Sequence, residues 1–263
     1  MTVMRARRLI AVVSVAALAV PALAACGRSA PDVAAYVGDN RYSVDRVDDI
    51  YQDAQQQYAD AVRGQASQTG ATPAPEQLRS PVTRQDVLNL LVALDLGKRV
   101  VAEKQLKVED KVTPEQLAQE LQMPPTAEYA KLWGEWLDMS GALQQQLPPA
   151  ELSDKSLMAV YHAIEKTGRI PAGWSIAQVK EAFGEGGFVR AATALSAALQ
   201  AEAEKVDTSI NPKFGQIGVP SAVSDGRSLL FYSLPYINAD GPVTDISTPE
   251  VPESSAPAAP AAP

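Results

Sequence analysis

The stretch AAYVGDNRYSVDRV, residues 34–47, decides how the chain begins to fold. Its first part predicts two short extended pieces around a Gly-Asp-Asn turn. Ser43 then occupies a position that favours a helix N-cap, and Asp45 falls in the first helical turn. From Val44 to Val62 apolar residues recur every three or four positions, which predicts an amphipathic helix of about five turns.

Helix start signals recur along most of the chain, after a Gly- and Pro-rich segment at 64–81 that predicts a loop. Gly97 falls inside the second predicted helix, where we expect it to allow the close approach of a neighbouring helix. The later helices are predicted to begin at Thr83, Thr113, Thr126, Ser153, Ser175 and Phe188. The pattern then becomes extended at 207–210, turns at 212–218 and becomes extended again at 227–234.

The first 25 residues have the plan of a secretory signal, with arginines among residues 1–8 and an apolar run at 9–22. Leu-Ala-Ala then precedes Cys26, an arrangement that resembles the lipobox of bacterial lipoproteins. This resemblance implies that 1–25 is a signal peptide and that acyl chains on Cys26 anchor the protein at the outer face of the cytoplasmic membrane. Residues 26–33 would form a tether. A soluble secreted protein with an incidental Cys26 remains the alternative.

The charge of the mature chain argues against nucleic acid as a partner. The full chain has 23 basic and 31 acidic residues. Removal of the three leader arginines leaves 20 basic residues, hence a net charge of −11. Binding to the phosphates of nucleic acid needs a dense basic patch, whereas the mature chain is acidic. Cys26 is the one cysteine, so no disulfide can form within the chain. The Pro- and Ala-rich composition of 242–263 predicts a disordered tail.

Three stretches together resemble the N-terminal domain of the SurA-type periplasmic chaperones, in the shortened form of actinobacterial lipoproteins. They are the opening at 35–47, VLNLL at 87–91 and INPKFG at 210–215. The resemblance implies a mainly α domain over 34–241, with a small β element in which the late strand pairs with the early one. It also implies that the helices between them form a cradle for unfolded or extended polypeptides.

Residues that could support catalysis are few. Full-length relatives of this kind carry parvulin-type prolyl isomerase domains that commonly use two histidines, whereas this chain has His162 alone and no parvulin pattern. A single imidazole without cysteines or spaced carboxylates does not predict a metal site, and no Gly-x-Ser-x-Gly elbow accompanies it. The glycines at 184–187 lack the strand and lysine of a phosphate loop. We therefore predict a protein without cofactor or enzymatic activity.

Aromatic residues at helical spacing are the candidate binding residues. Tyr129, Trp133 and Trp136 fall on one face of the fourth predicted helix. Such a stripe belongs either to a hydrophobic core or to a groove that binds peptides. The sequence leaves two functions open: a membrane-anchored chaperone-like binder of unfolded or extended polypeptides, and a structural or adaptor lipoprotein that binds one folded envelope partner. It also leaves homo-oligomerisation open.

Overall fold

A computed structural model describes residues 30–224 and 228–235. The predicted signal peptide at 1–25, Cys26 and the predicted tail at 242–263 lie outside these ranges. Within them the chain is mainly helical, as predicted, and it has two small antiparallel sheets where one small β element was predicted. The helices are α1 (Val44–Thr69), a 3-10 turn (Pro75–Leu78), α2 (Arg84–Lys104), α3 (Pro114–Leu121), α4 (Glu128–Gln146), α5 (Asp154–Glu165), α6 (Ile176–Phe183) and α7 (Gly187–Lys205). The strands are β1 (Val33–Val37), β2 (Asn40–Ser43), β3 (Ser209–Ile210), β4 (Gly218–Ser224) and β5 (Leu229–Pro235).

The first sheet joins the two ends of the helical body. Its strand order is β2-β1-β3, and Ala35 of β1 lies opposite Ile210 of β3 in an antiparallel pair. Next to β3, the side-chain amide of Asn211 donates to the carbonyl of Val33 at 2.7 Å. The predicted pairing of an early with a late strand is thus confirmed. Val33 is fully buried in β1, so the predicted tether at 26–33 ends before it.

Local capping chemistry explains where the helices begin. The side chains of Ser43, Thr83, Ser153 and Ser175 each accept a hydrogen bond from a backbone N–H in the first turn of the following helix. These contacts satisfy donors that a helix N-terminus otherwise leaves unpaired. All four residues were predicted as helix starts, and these predictions are confirmed.

Two predicted boundaries are wrong. The helix predicted to end near Val62 continues through Gly64 to Thr69 and ends where Gly70 adopts a left-handed conformation, with φ of 68°. One glycine costs a helix only about 1 kcal/mol, and the alanines and glutamines around it sustain the helical run. The segment predicted as a turn at 212–218 leads directly into β4, a strand the pattern missed because Pro220 falls within it.

The hydrophobic core has two parts. The larger part packs α2 and α4 against α1, the C-terminal half of α7 and the first sheet. The smaller part packs α5 and α6 against the N-terminal half of α7. The hairpin of β4 and β5 contributes to both, since Val219 belongs to the larger part and Tyr232 to the smaller. The hairpin therefore lies where the two parts meet.

A buried polar network fixes the β1–β2 hairpin on α2. Asp95 is 7% exposed and accepts hydrogen bonds from Asn40 Nδ2 at 2.6 Å, Tyr42 Oη at 2.8 Å and Arg99 Nε at 2.7 Å. Arg99 also donates to the carbonyl of Val37 at 3.1 Å. Burial, together with the hydrogen bond to Asp95, raises the pKa of Tyr42. The carboxylate is thus paired and hydrogen-bonded, as a buried charge requires.

Gly97 allows α2 and α4 to approach closely. A Cβ built on this residue would lie 2.5 Å from Met139 Sδ and 3.2 Å from a ring carbon of Trp136. No other residue type fits this backbone without displacing α4 or its side chains. The close approach expected from the sequence is confirmed.

Candidate functional site

An aromatic groove of about 600 Å³ opens where the two parts of the core meet. We use this name for the cleft bounded by the start of α2, the end of α3, Tyr129 and Trp133 of α4, the residues that follow α5, and β5. Five consecutive residues of β5, Leu229–Ser233, line it. Because successive strand side chains point to opposite faces, a cleft lined by five consecutive residues follows the edge of the strand.

Tyr129 and Trp133 form one wall of the aromatic groove. Their exposed fractions are only 4% and 5%, and their rings meet edge to face with centroids 6.5 Å apart. Burial raises the pKa of Tyr129, the charge of Asp86 adds to the rise, and the nearby indole N–H of Trp133 partly opposes it. That contact lacks hydrogen-bond geometry, because the buried indole nitrogen of Trp133 has no partner among the described residues. Such an orphaned donor is uncommon in a folded protein.

Phe231 completes the aromatic set and was not anticipated. It belongs to β5, and its ring centroid lies 4.8 Å from that of Trp133 in an edge-to-face contact. The extended pattern at 227–234 predicted the strand, yet no local signal could place it beside α4. The contact depends on residues about 100 positions apart in the sequence.

Trp136 belongs to the core and does not line the aromatic groove. Its side chain is 0% exposed, and its indole N–H donates to the carbonyl of Pro220 at 2.7 Å. Of the three candidate residues, the structure therefore brings Tyr129 and Trp133 to the aromatic groove and places Trp136 behind them. This residue has no surface to offer a ligand.

Side chains of α2 hold the β4–β5 hairpin in position. Asn89 accepts from the backbone N–H of Gly218 at 3.2 Å and donates to Ser233 Oγ at 3.2 Å. Gln85 donates to Asn89 Oδ1 at 2.9 Å and accepts from the backbone N–H of Gly215 at 2.7 Å. One end of this amide relay is thus tied to the hairpin and the other to Gly215 just before β4, which holds the hairpin on α2.

Both signs of charge occur in the aromatic groove. Asp86 accepts from the backbone N–H of Thr83 at 2.9 Å, and Glu120 accepts from the backbone N–H of Leu229 at 3.2 Å. Lys166 and Arg169, which follow α5, form no ion pair with any described residue. The carboxylates therefore have structural partners, whereas the cations do not.

A second groove of about 660 Å³ lies between α2, α4 and the segment that joins α2 to α3. Val108, which is 38% exposed, lines it. Among the described residues that line this second groove there is no tryptophan and no strand residue. It therefore offers fewer of the groups that bind extended chains.

His162 is not among the described residues that line the aromatic groove. His162 is exposed, and its Nδ1 lies 2.9 Å from Glu165 Oε2; this contact lowers the pKa of Glu165. Within residues 30–224 and 228–235, no group of three or more His, Cys, Asp or Glu side chains is placed to hold a metal ion. None of the helices in these ranges is both long and apolar enough to span a bilayer.

Comparison with known proteins gives no match: no family model, curated protein or solved structure matches the chain.

Proposed function

We propose that the protein is a chaperone-like binder of unfolded or extended polypeptides, anchored by lipid on Cys26 at the outer face of the cytoplasmic membrane. The observation that carries the proposal is the aromatic groove: a cleft of about 600 Å³ with two aromatic side chains of α4 on one wall and the edge of β5 along another. Ligand sites are typically concave and mostly apolar, with a few polar groups that orient the ligand.

Two further features support this proposal. The antiparallel pairing of β1 with β3 is the arrangement that the resemblance to SurA-type chaperones implies. The aromatic groove also combines aromatic faces with unpaired polar groups, which suits ligands that vary in sequence but always present a backbone. Membrane attachment would place this surface where exported chains emerge.

Suppression of aggregation tests the proposal. The mature chain with Cys26→Ser would be added in increasing amounts to a chemically denatured client, and light scattering would be followed. We expect dose-dependent suppression. Phe231→Asp should abolish the suppression, because apolar client side chains would then be buried against a carboxylate beside Trp133.

Val108→Asp is the matched control, since it introduces the same charge into the second groove. It should leave suppression unchanged, provided that circular dichroism shows both variants folded. Loss of suppression with Val108→Asp alone would assign binding to the second groove and contradict the proposal. Absence of any suppression, together with stoichiometric binding of one folded envelope protein, would favour the adaptor alternative.

A further inference from the structure

The outer edge of β5 has backbone groups available for a further strand. In an antiparallel pair, opposed residues alternate between pairs that exchange ladder hydrogen bonds and pairs whose backbone groups point outward. The backbone N–H of Gly218 bonds to Asn89 and that of Leu229 bonds to Glu120, so the backbone groups of both residues point away from the partner strand. Phe231 and Ser233 share the alternation of Leu229 and therefore also point outward.

Each edge of the hairpin is partly occupied. On β4 the N–H of Gly218 bonds to Asn89 and the carbonyl of Pro220 accepts from Trp136, and on β5 the N–H of Leu229 bonds to Glu120. Along β5 the outward groups of Phe231 and Ser233 form no backbone hydrogen bond with any described residue. An unpaired edge of this kind is a template for an additional strand.

The unpaired polar groups of the aromatic groove describe the ligand further. The indole nitrogen of Trp133 has no acceptor among the described residues, but it is buried beneath the surface of the groove and is not a contact for a bound chain. Lys166 and Arg169 have no carboxylate partner in the described chain, while Asp86 and Glu120 already accept backbone N–H groups. Charge complementarity therefore favours carboxylates on the ligand.

We infer that the aromatic groove binds an extended acidic segment of another polypeptide, which adds a strand to β5 and places its carboxylates at Lys166 and Arg169. This inference rests on the proposed function and specifies its substrate class. Backbone pairing supplies affinity for any extended chain, and the two cations supply the preference among chains.

Matched peptides test the inference. A labelled peptide of about ten residues would alternate valine and threonine and end in two glutamates; a second would end in two glutamines, and a third would carry N-methyl groups on alternate backbone nitrogens. Fluorescence anisotropy with the mature Cys26→Ser chain should give about threefold to tenfold tighter binding of the glutamate peptide than of the glutamine peptide. The N-methylated peptide should not bind, because its ladder donors are blocked.

Variants of the protein separate the two contributions. Lys166→Gln combined with Arg169→Gln should remove the preference for glutamate. Lys213→Gln combined with Arg190→Gln, which makes the same charge change on exposed residues outside the aromatic groove, should retain it.

The outcomes distinguish the inference from the proposed function. If none of the peptides binds and aggregation is not suppressed, the proposed function itself fails. If both acidic and neutral peptides bind equally and the groove cations have no effect, the function stands and the inference is overturned. Equal binding of the N-methylated peptide would also overturn it. Sedimentation that shifts from two copies to one when peptide is added would assign the β5 edge to a second copy instead.

Discussion

Replacement of Gly97 by alanine tests the contact between α2 and α4 that organises the larger core. The added Cβ would lie 2.5 Å from Met139 Sδ and 3.2 Å from the ring of Trp136, both closer than an ordinary van der Waals contact. The methionine can change rotamer, since its side chain is flexible. The tryptophan cannot retreat easily, because it is fully buried and bonded to Pro220.

Two opposing contributions set the magnitude. Alanine stabilises a helix interior by about 1 kcal/mol relative to glycine. Insertion of a methyl group into a packed core costs about 1–3 kcal/mol, and a contact with a constrained ring belongs in the upper part of that range. We therefore expect Gly97→Ala to lower the free energy of unfolding by about 1–2 kcal/mol. If helix propensity were the only effect, Gly97→Ala would instead raise the free energy of unfolding.

Urea unfolding followed by circular dichroism at two or more concentrations of protein would measure the change. Gly64→Ala is the control, because Gly64 lies in α1 with no atom within 4 Å of its built Cβ. It should gain about 0.5–1 kcal/mol from propensity. If Gly97→Ala gains as much as Gly64→Ala, with an unchanged slope against urea, the close approach of α2 and α4 does not exist as described.

Three further predictions concern stability. Asp95→Asn should lower the free energy of unfolding by about 1–3 kcal/mol in urea titration, because Arg99 loses its buried partner while the shape is kept; an unchanged midpoint would contradict the role of the network. Asn211→Ala should lower the free energy of unfolding by about 1–3 kcal/mol in the same assay and increase hydrogen exchange at β1, since the amide that bonds to Val33 is lost. An increase in exchange confined to other elements would contradict this role of Asn211. Burial raises the pKa of Tyr232 from 10.0 to about 12, so its neutral form stabilises the fold at lower pH and this contribution is lost as pH rises from about 10 to 12. Tyr232→Phe should therefore show a shallower loss of melting temperature across that window, and an identical pH profile would show that the phenol does not contribute.

The parts of the fold that local chemistry determines were predictable from the sequence. A serine or threonine before an apolar run satisfies backbone donors wherever the helix later packs, so Ser43, Thr83 and Ser153 could be recognised. The pairing of β1 with β3 was expected from a resemblance and not from pattern, because pairing partners 170 or more positions apart leave no local signal. Periodicity describes one element at a time.

Pro220 shows why β4 could not be predicted. A proline inside a run normally argues against a strand, because it cannot donate to the ladder. In the structure Pro220 lies opposite Ser233, at an alternation where its nitrogen points away from β5 and no ladder bond is lost. Its carbonyl points to the same side and accepts from Trp136. The rule against proline therefore depends on the register between β4 and β5, which the residues of β4 alone do not reveal.

The two tryptophans of α4 show the same dependence on distant structure. Trp133 and Trp136 are three positions apart on one helical face, so periodicity assigns them the same environment. The hairpin separates them: the carbonyl of Pro220 in β4 accepts from the N–H of Trp136, whereas Phe231 in β5 contacts the ring of Trp133, whose N–H has no acceptor among the described residues. Among the described residues no strand pairs with the outer edge of β5, so two tryptophans on one helical face have different surroundings because of distant parts of the chain.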